Sequence, residues 1–150
     1  MPDKAFGFEK PEDSPGFLLW QTTITWQRLI KKALDPYQIS HAQFVIMAIV
    51  LWFEGLKQEP TQILIVRQSK LDKMTVSKSL KKLASLGLIK RTEHETDTRA
   101  KSVNLTTKGR TLASKLVPIV EKIDEKFFGI VSAKDQRLLI NILGNLTASM

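Results

Sequence analysis

Basic side chains are concentrated in one short part of this 150-residue chain. Eight Lys and Arg residues and a single acid, Asp72, lie from Arg67 to Arg91, and together they account for +7 of a formal net charge of +8. A merely solvated face is the alternative, although such a face normally mixes both signs. Because ammonium and guanidinium groups bind phosphates, the first chemistry that the sequence indicates is contact with a polyanion.

Side chains for catalysis or metal binding are scarce. The chain has no cysteine, which excludes disulfides, thiolate catalysis and cysteine-ligated zinc. Its two histidines, His41 and His94, lie far apart, the carboxylates are scattered over polar segments, and there is no glycine-rich phosphate loop. We therefore expect a protein that is not an enzyme and that holds no cofactor and no metal.

The hydropathy of the chain bears on its location. No run approaches the roughly 20 uncharged apolar residues of a membrane helix. The first residues lack the apolar stretch behind a basic head that marks a signal peptide. We therefore expect a cytoplasmic protein with no membrane contact.

The basic cluster needs an element to position it, and its pattern predicts a helix. Asp72 can cap a helix from about Lys73 to Leu86, in which one apolar stripe repeats at helical spacing. That stripe is Val76, Leu80 and Leu83, with Met74, Lys78 and Lys81 opposite it and Thr75, Ser77 and Lys82 on its flanks. Thr61 can cap a shorter helix through Gln68. Two short helices joined by a tight turn, the second cationic outside, predict a helix-turn-helix.

Two alternating segments follow this pair of helices. Residues 88–92 and 101–106 alternate apolar and polar side chains, as half-exposed strands do, and a polar tip separates them. Gly87 stands where a helix ends with a left-handed residue. Helix, helix and a two-stranded ribbon make a winged helix, which we predict over about residues 40–107.

The N-terminal side predicts a loose arm, one long helix and one buried helix. Residues 1–13 carry prolines, a glycine and several acids, which is typical of an arm. Ser14–Pro15 begins the long helix and Asp35–Pro36 ends it. This helix is apolar on several faces, so its own domain and a partner subunit must cover it. Ser40–Gln43 forms a capping box ahead of the apolar run 44–53, which favours a buried helix.

The C-terminal side predicts two more helices. Thr106 or Thr107 caps a long one, in which apolar residues repeat every three or four positions. Pro118 interrupts this helix and should kink it, because proline removes a backbone donor. A last helix starts at about Ala133.

These elements define the predicted fold class. It is mainly α with a small β-hairpin, a winged helix-turn-helix flanked by N- and C-terminal dimerisation helices. A single domain spans residues 14–150, and the dimerisation helices lie at about 14–34 and 107–148. They flank the winged helix in sequence and carry more apolar surface than one chain needs to cover.

The segment after the basic cluster carries a specific pattern. Asp97–Thr106, DTRAKSVNLT, fits D-x-R-x3-(V/L/I)-x-L-T. Upstream, Leu71–Ser77 and Leu83–Arg91 stand where a recognition helix and the following strand belong. On these motifs the chain, over about residues 14–148, resembles the MarR family of bacterial regulators (multiple-antibiotic-resistance type).

The resemblance implies a role for the tip of the hairpin. Arg99 is expected to enter the minor groove of DNA, where Asp97 orients it through a charged hydrogen bond. Lys101 belongs to the same DNA-contacting segment. The alternative is that Asp97 and Arg99 only hold the hairpin together, and both roles are compatible.

The cationic helix has the dimensions to enter the major groove, where base pairs present distinguishable patterns. We expect base edges or phosphates to bind Thr75, Ser77 and Lys78, a thymine methyl to contact Met74, and phosphates to bind Lys73, Lys81 and Lys82. For each side chain alone a solvated position is the alternative. Their shared face favours DNA.

One such helix touches too few bases to find a single site in a genome. We therefore expect a homodimer that binds half-sites about 10 base pairs apart in a pseudo-palindromic operator. The resemblance further implies repression and release by a small-molecule effector, bound where the dimerisation helices meet the winged helix. Trp20, Thr23, His41 and Phe44 are the candidate lining, although aromatic residues at helical spacing are also ordinary core.

A winged helix that binds a protein or RNA partner without sensing a ligand is the alternative function. It would need neither Arg99 at the wing tip nor a symmetric dimer. Single-stranded nucleic acid would favour exposed aromatic platforms, and residues 73–91 contain none. The sequence therefore predicts a sequence-specific, double-stranded DNA-binding transcriptional regulator that acts as a homodimeric repressor.

Overall fold

The computed structural model describes residues 4–93 and 101–148. Within these ranges the elements are α1 Pro15–Leu34, α2 His41–Gly55, α3 Gln62–Ser69, α4 Lys73–Ser85, β1 Ile89–Glu93, β2 Lys101–Leu105, α5 Thr107–Phe128 and α6 Ala133–Ala148. Short 3-10 turns, Pro11–Asp13 and Asp35–Tyr37, precede and follow α1. The mainly α fold with a small hairpin is the one that the sequence predicts.

Side-chain caps begin the helices at the predicted residues. In each cap a side-chain oxygen accepts a backbone N–H of the first turn, which has no partner inside the helix. The capping residues are Ser14, Ser40, Thr61, Asp72 and Thr106. Ser40 also closes the predicted capping box, because its own N–H donates to Gln43 Oε1 at 2.9 Å. Local sequence therefore fixes where these helices start.

The second helix lies at the centre of the winged helix. Ile46, Met47 and Val50 of α2 are fully buried, and α2 packs against α3, α4, α5 and β2. The apolar run 44–53 therefore forms a buried helix, as predicted. A helix covered on most sides can be apolar around most of its circumference.

The two strands form an antiparallel ribbon in which Ile89 lies opposite Leu105 and Arg91 opposite Val103. The alternate residues Ile89, Val103 and Leu105 are buried. The outer edge of β2 is also held, because the Val103 N–H donates to the Pro60 carbonyl at 2.9 Å. The base of the wing is therefore attached to the body of the domain.

The flanking helices are covered much less. Over its described length α1 buries only Ile30 and Leu34, near its C-terminal end. No residue of α6 is buried within the described part of the chain, although Leu138, Ile140 and Ile142 are apolar. The N-terminal part of α1 and all of α6 thus present apolar side chains that this single chain leaves exposed.

Pro118 lies inside the fifth helix without ending it, and the kink expected there stays a prediction. The helix runs without a break from Thr107 to Phe128. Pro118 and Ser114, whose carbonyl loses its helical donor, are both exposed. Solvent can satisfy that carbonyl, so the helix tolerates the missing bond.

Membrane spanning was tested on the described residues. No single helix there has both the length and the hydropathy to cross a bilayer. The segments Pro15–Tyr37 and His41–Gly55 meet both criteria only as a pair, and they are bent by 81° relative to each other.

Candidate nucleic-acid interface

The fourth helix is oriented by its apolar stripe. Val76, Leu80 and Leu83 are fully buried, and they fix the opposite face of α4 towards solvent. On that face Met74 is 68% exposed. The four lysines of the helix are all exposed: Lys73, Lys78, Lys81 and Lys82. The orientation predicted from the sequence is confirmed.

The N-terminus of this helix is closed by a carboxylate. Asp72 Oδ1 accepts the Thr75 N–H at 2.7 Å, and Oδ2 accepts the Thr75 hydroxyl at 2.8 Å. These bonds, the backbone one foremost, lower the pKa of Asp72. The hydroxyl proton of Thr75 is thereby engaged within the helix. Towards a ligand Thr75 Oγ1 offers an acceptor, which suits an amino group of a base and not a phosphate.

The C-terminus of the same helix ends in a Schellman motif. Gly87 has φ 72°, a left-handed conformation that strains side-chain-bearing residues, and its N–H donates to the Ala84 carbonyl at 3.0 Å. The Leu88 N–H donates to the Leu83 carbonyl at 3.0 Å. This geometry turns the chain directly from α4 into β1.

Residues at the start of α5 contact the turn that ends α4. Thr106 Oγ1 donates to the Gly87 carbonyl at 2.6 Å, and Lys108 Nζ donates to the Leu86 carbonyl at 3.1 Å. Gly109 packs so closely on the Leu88 carbonyl that a Cβ there would overlap its oxygen. The long flanking helix is therefore joined directly to the end of the cationic helix.

The wing is described only in part. Asp97 and Arg99 lie outside the described residues, and so does the side chain of Lys101, whose backbone begins β2. The register of β1 and β2 brings Glu93 opposite Lys101 at the end of the described ladder. The expected roles of Asp97, Arg99 and Lys101 therefore remain predictions.

A polar contact at the base of the wing was not foreseen from the sequence. Glu54, near the end of α2, accepts the Leu105 N–H and two N–H groups of Arg110. The partners of Glu54 lie 51 and 56 positions further along the chain. No local pattern signals a contact over that separation.

The four candidate pocket residues do not line one cavity within this chain. Of the cavities characterised in the described residues, none is lined by Trp20 or Thr23. His41 borders a cavity of about 640 Å³ between α1 and the start of α2. Phe44 is buried beside a separate groove of about 380 Å³ between α2 and α3. Trp20 itself is 65% exposed on α1.

A polar junction joins the flanking helices to the winged helix beside His41. Trp26 Nε1 on α1 donates to Asp124 Oδ1 on α5 at 2.7 Å. The Trp26 ring meets the His41 ring edge-on, with 5.1 Å between centroids. Burial lowers the pKa of His41, and the charge of Asp124 acts in the opposite direction. Trp26 and Asp124 lie 98 positions apart, so no local sequence pattern signals their contact.

The described part of the chain contains no group of side chains that could bind a metal ion. No three His, Asp or Glu side chains there lie close enough together to hold an ion. The charged side chains exposed on α4 are instead lysines. The geometry of the region, a helix with basic side chains projecting outward and a ribbon beside it, fits a groove lined by phosphates.

Comparison with known proteins bears on both family and fold. The model of the ArnR1-like, winged-helix domain matches residues 35–122, more than half of the chain. The chain is 36% identical over 131 residues to the HTH-type transcriptional regulator YdcH of Bacillus subtilis (strain 168), and the match covers 87% of this chain and 89% of YdcH.

Solved structures share the fold. Bordetella bronchiseptica BpsR, a protein whose DNA binding is regulated by 6-hydroxynicotinic acid, matches with a TM-score of 0.83 and 22% identity over 94% of this chain and 98% of BpsR. A single-residue mutant of Escherichia coli MarR, complexed with operator DNA, matches with a TM-score of 0.76 and 21% identity over 87% and 91% of the two chains. These likenesses establish a winged helix with flanking helices.

Proposed function

Since the chain belongs to the MarR family of winged-helix transcriptional regulators, we propose that it binds a pseudo-palindromic operator in double-stranded DNA as a homodimer. It represses transcription there, and a small molecule releases it. The observation that carries this proposal is the outward face of α4. That face is basic and exposed because a fully buried stripe, Val76, Leu80 and Leu83, holds the helix from behind.

The side chains of α4 divide by chemistry. Ser77 and Lys78 can donate to base edges or phosphates, Met74 can contact a thymine methyl, and Thr75 offers an acceptor. Lys73, Lys81 and Lys82 neutralise phosphates, which supplies affinity without sequence information. Removal of one phosphate-binding lysine should lower the salt dependence of binding by about one counterion.

The wing supplies the second contact with DNA. Arg99 inserts in the minor groove, Asp97 orients it, and Lys101 binds beside them. These roles follow from the family motif Asp97–Thr106. They are supported by the antiparallel register of β1 and β2, which pairs Glu93 with Lys101 at the end of the described ladder.

The exposed apolar side chains of α1 and α6 support an interface with a second copy of the chain. Over α6 apolar side chains such as Leu138 and Ile142 are exposed, and at the start of α1 Phe17 and Leu19 are exposed as well. Contiguous apolar surface of this kind is the usual signature of an interface. An isologous dimer would cover both helices and present two copies of α4 to successive major grooves.

The effector has a candidate site in the cavity of about 640 Å³ between α1 and α2. Arg28 and Lys31 line it together with the apolar Ile24 and Ile39, and His41 borders it. Lys31 is paired with Asp35 of the same cavity at 3.0 Å, and Arg28 beside the apolar walls suits a small organic anion. Binding there would act on the junction between a flanking helix and the winged helix.

The test is a fluorescence-anisotropy titration against genomic fragments, beginning with the gene's own upstream region, at several salt concentrations. We expect tight, saturable binding to one fragment with a steep salt dependence. Arg99→Ala should abolish specific binding and leave the fold intact. Lys32→Ala, which also removes one exposed positive charge, is the matched control and should bind normally.

Two outcomes would contradict the proposal. If Arg99→Ala bound the operator as tightly as the unmodified protein, the wing would not be part of the DNA interface. Weak binding that is equal for all duplexes, with preference for RNA in competition, would instead support the alternative of a winged helix with an RNA or protein partner.

A further inference from the structure

Both edges of β2, the second strand of the wing, form hydrogen bonds. Its inner edge pairs with β1. Because backbone groups alternate along a strand, the N–H groups of Val103 and Leu105 point to the other side. The Pro60 carbonyl accepts the first at 2.9 Å, and Glu54 Oε1 accepts the second at 2.9 Å. At Leu105 a side-chain carboxylate thus takes the place of a neighbouring strand.

The same carboxylate is held from α5. Glu54 Oε2 accepts Arg110 Nε at 3.1 Å and Arg110 Nη2 at 2.9 Å. Nη2 also lies 3.4 Å from the Leu105 carbonyl oxygen. Glu54 therefore joins three elements, α2, β2 and α5, through charge-assisted hydrogen bonds.

The geometry of this pair matters more than its strength. The Glu54 side chain is 16% exposed, but that of Arg110 is 50% exposed. Ion pairs with an exposed partner contribute little to global stability. The orientation of the Glu54 carboxylate, however, decides whether the Leu105 N–H has an acceptor, and hence where the end of β2 is anchored.

We propose that Glu54 and Arg110 are positioning residues that fix β2 and through it the wing against DNA. They do so without touching DNA themselves. This inference rests on the proposed function, because it assumes that the wing contacts DNA. In it the pair positions β2, whereas α4 is held by its own buried stripe.

A first measurement needs no DNA. In the full-length protein Glu54→Ala should raise the hydrogen-exchange rate of the Leu105 amide by about tenfold, because it removes a charge-assisted bond. Amides of α4, such as that of Leu83, should not change, and Lys32→Ala should alter neither. Arg110→Lys, which keeps the charge without the forked donor, should give an intermediate rate.

Two exchange results would overturn the proposal. One is an unchanged Leu105 amide in Glu54→Ala. The other is an equal rise in β2 and α4, which would mean that the pair only stabilises the whole domain.

The second measurement is a double-mutant cycle for operator affinity. The cycle is measured at low salt, where the lysines of α4 still give the Arg99→Ala variant a measurable affinity for the duplex. Arg110→Ala should weaken binding by about tenfold in the otherwise unmodified protein, but by less than about twofold when Arg99→Ala is already present. A merely structural role predicts the same loss in both backgrounds, and that result would refute a role through the wing. Lys32→Ala should weaken binding in neither background.

Failure of the proposed function gives a different pattern. If no duplex is bound specifically, or if Arg99→Ala leaves affinity unchanged, the wing does not read DNA. The exchange rates then still decide whether Glu54 and Arg110 fix β2.

Discussion

The winged helix and the helices that flank it are both rich in apolar residues, yet α6 and the N-terminal part of α1 leave theirs largely exposed in one chain. Leu80 of α4 is fully buried, whereas Leu138 of α6 is exposed. The two regions meet at the start of α5 and at the contact of Trp26 with His41. The winged helix therefore completes its core within one chain, whereas α6 and the N-terminal part of α1 keep apolar surface for the proposed partner.

This difference assigns different work to the two regions. The buried core around α2 gives α4 and the base of the wing a fixed relative position. In the proposed dimer the flanking helices set the distance between two such units, because its recognition helices have to align with successive turns of DNA. Substitutions in the two regions should consequently change different measured quantities.

The largest expected effect is on the core of the winged helix. Leu80→Ala should lower the free energy of unfolding by about 2–5 kcal/mol, because it leaves a cavity. The matched substitution Leu138→Ala should have a smaller effect that varies with protein concentration. Urea unfolding at two concentrations measures both. Equal, concentration-independent losses would abolish the distinction between the regions.

Two glycines sharpen the comparison. Gly109→Ala should lower the free energy of unfolding by about 1–3 kcal/mol, because its Cβ overlaps the Leu88 carbonyl. Gly144→Ala, where the added Cβ meets no atom of the described chain within 4 Å, should raise it by about 0.5–1 kcal/mol through helix propensity. A stabilised Gly109→Ala variant in the same urea titration would rule out the tight junction.

The proposed dimer interface is tested by placing one negative charge at either of two neighbouring positions of α6. Ile142→Glu should raise the dimer dissociation constant at least about tenfold, because it puts a carboxylate on the apolar side of α6. Asn141→Glu adds the same charge on the polar side and should have little effect. Sedimentation equilibrium measures both constants. If Ile142→Glu dimerised as tightly as Asn141→Glu, α6 would lie outside the interface.

The smallest expected effect is a pH dependence at the junction. Burial holds the pKa of His41 below its ordinary value of 6.5, so the unfolded chain takes up a proton before the folded one. Stability from neutral His41 is complete above pH 6.5 and declines as pH falls through the lowered pKa. The difference in unfolding free energy between the unmodified protein and His41→Gln should shrink from pH 7.5 to pH 5.5. A difference that grew on acidification would contradict this sign.

Short-range signals predicted most of the fold. The caps at Ser14, Ser40 and Asp72 and the left-handed Gly87 are specified within three or four residues, and each is present. The stripe of α4 follows from helical periodicity alone. These features depend on local backbone chemistry, which a sequence displays directly.

Long-range contacts could not be predicted in this way. Glu54 ends an apolar run and resembles a solvated acid, yet it binds Leu105 and Arg110. Gly109 likewise has no local signal that announces its close contact with the Leu88 carbonyl. The position of Trp20 depends on how α1 lies against the rest of the molecule, which only tertiary packing decides.

The most direct test of the whole account is the mass of the complex with an operator duplex identified by the titration. We expect two chains of 17.0 kDa on each duplex at every ratio of protein to DNA, and a dimer already present at micromolar concentration without DNA. A single chain per duplex, or a 17.0 kDa species alone in solution, would contradict a homodimer that reads two half-sites.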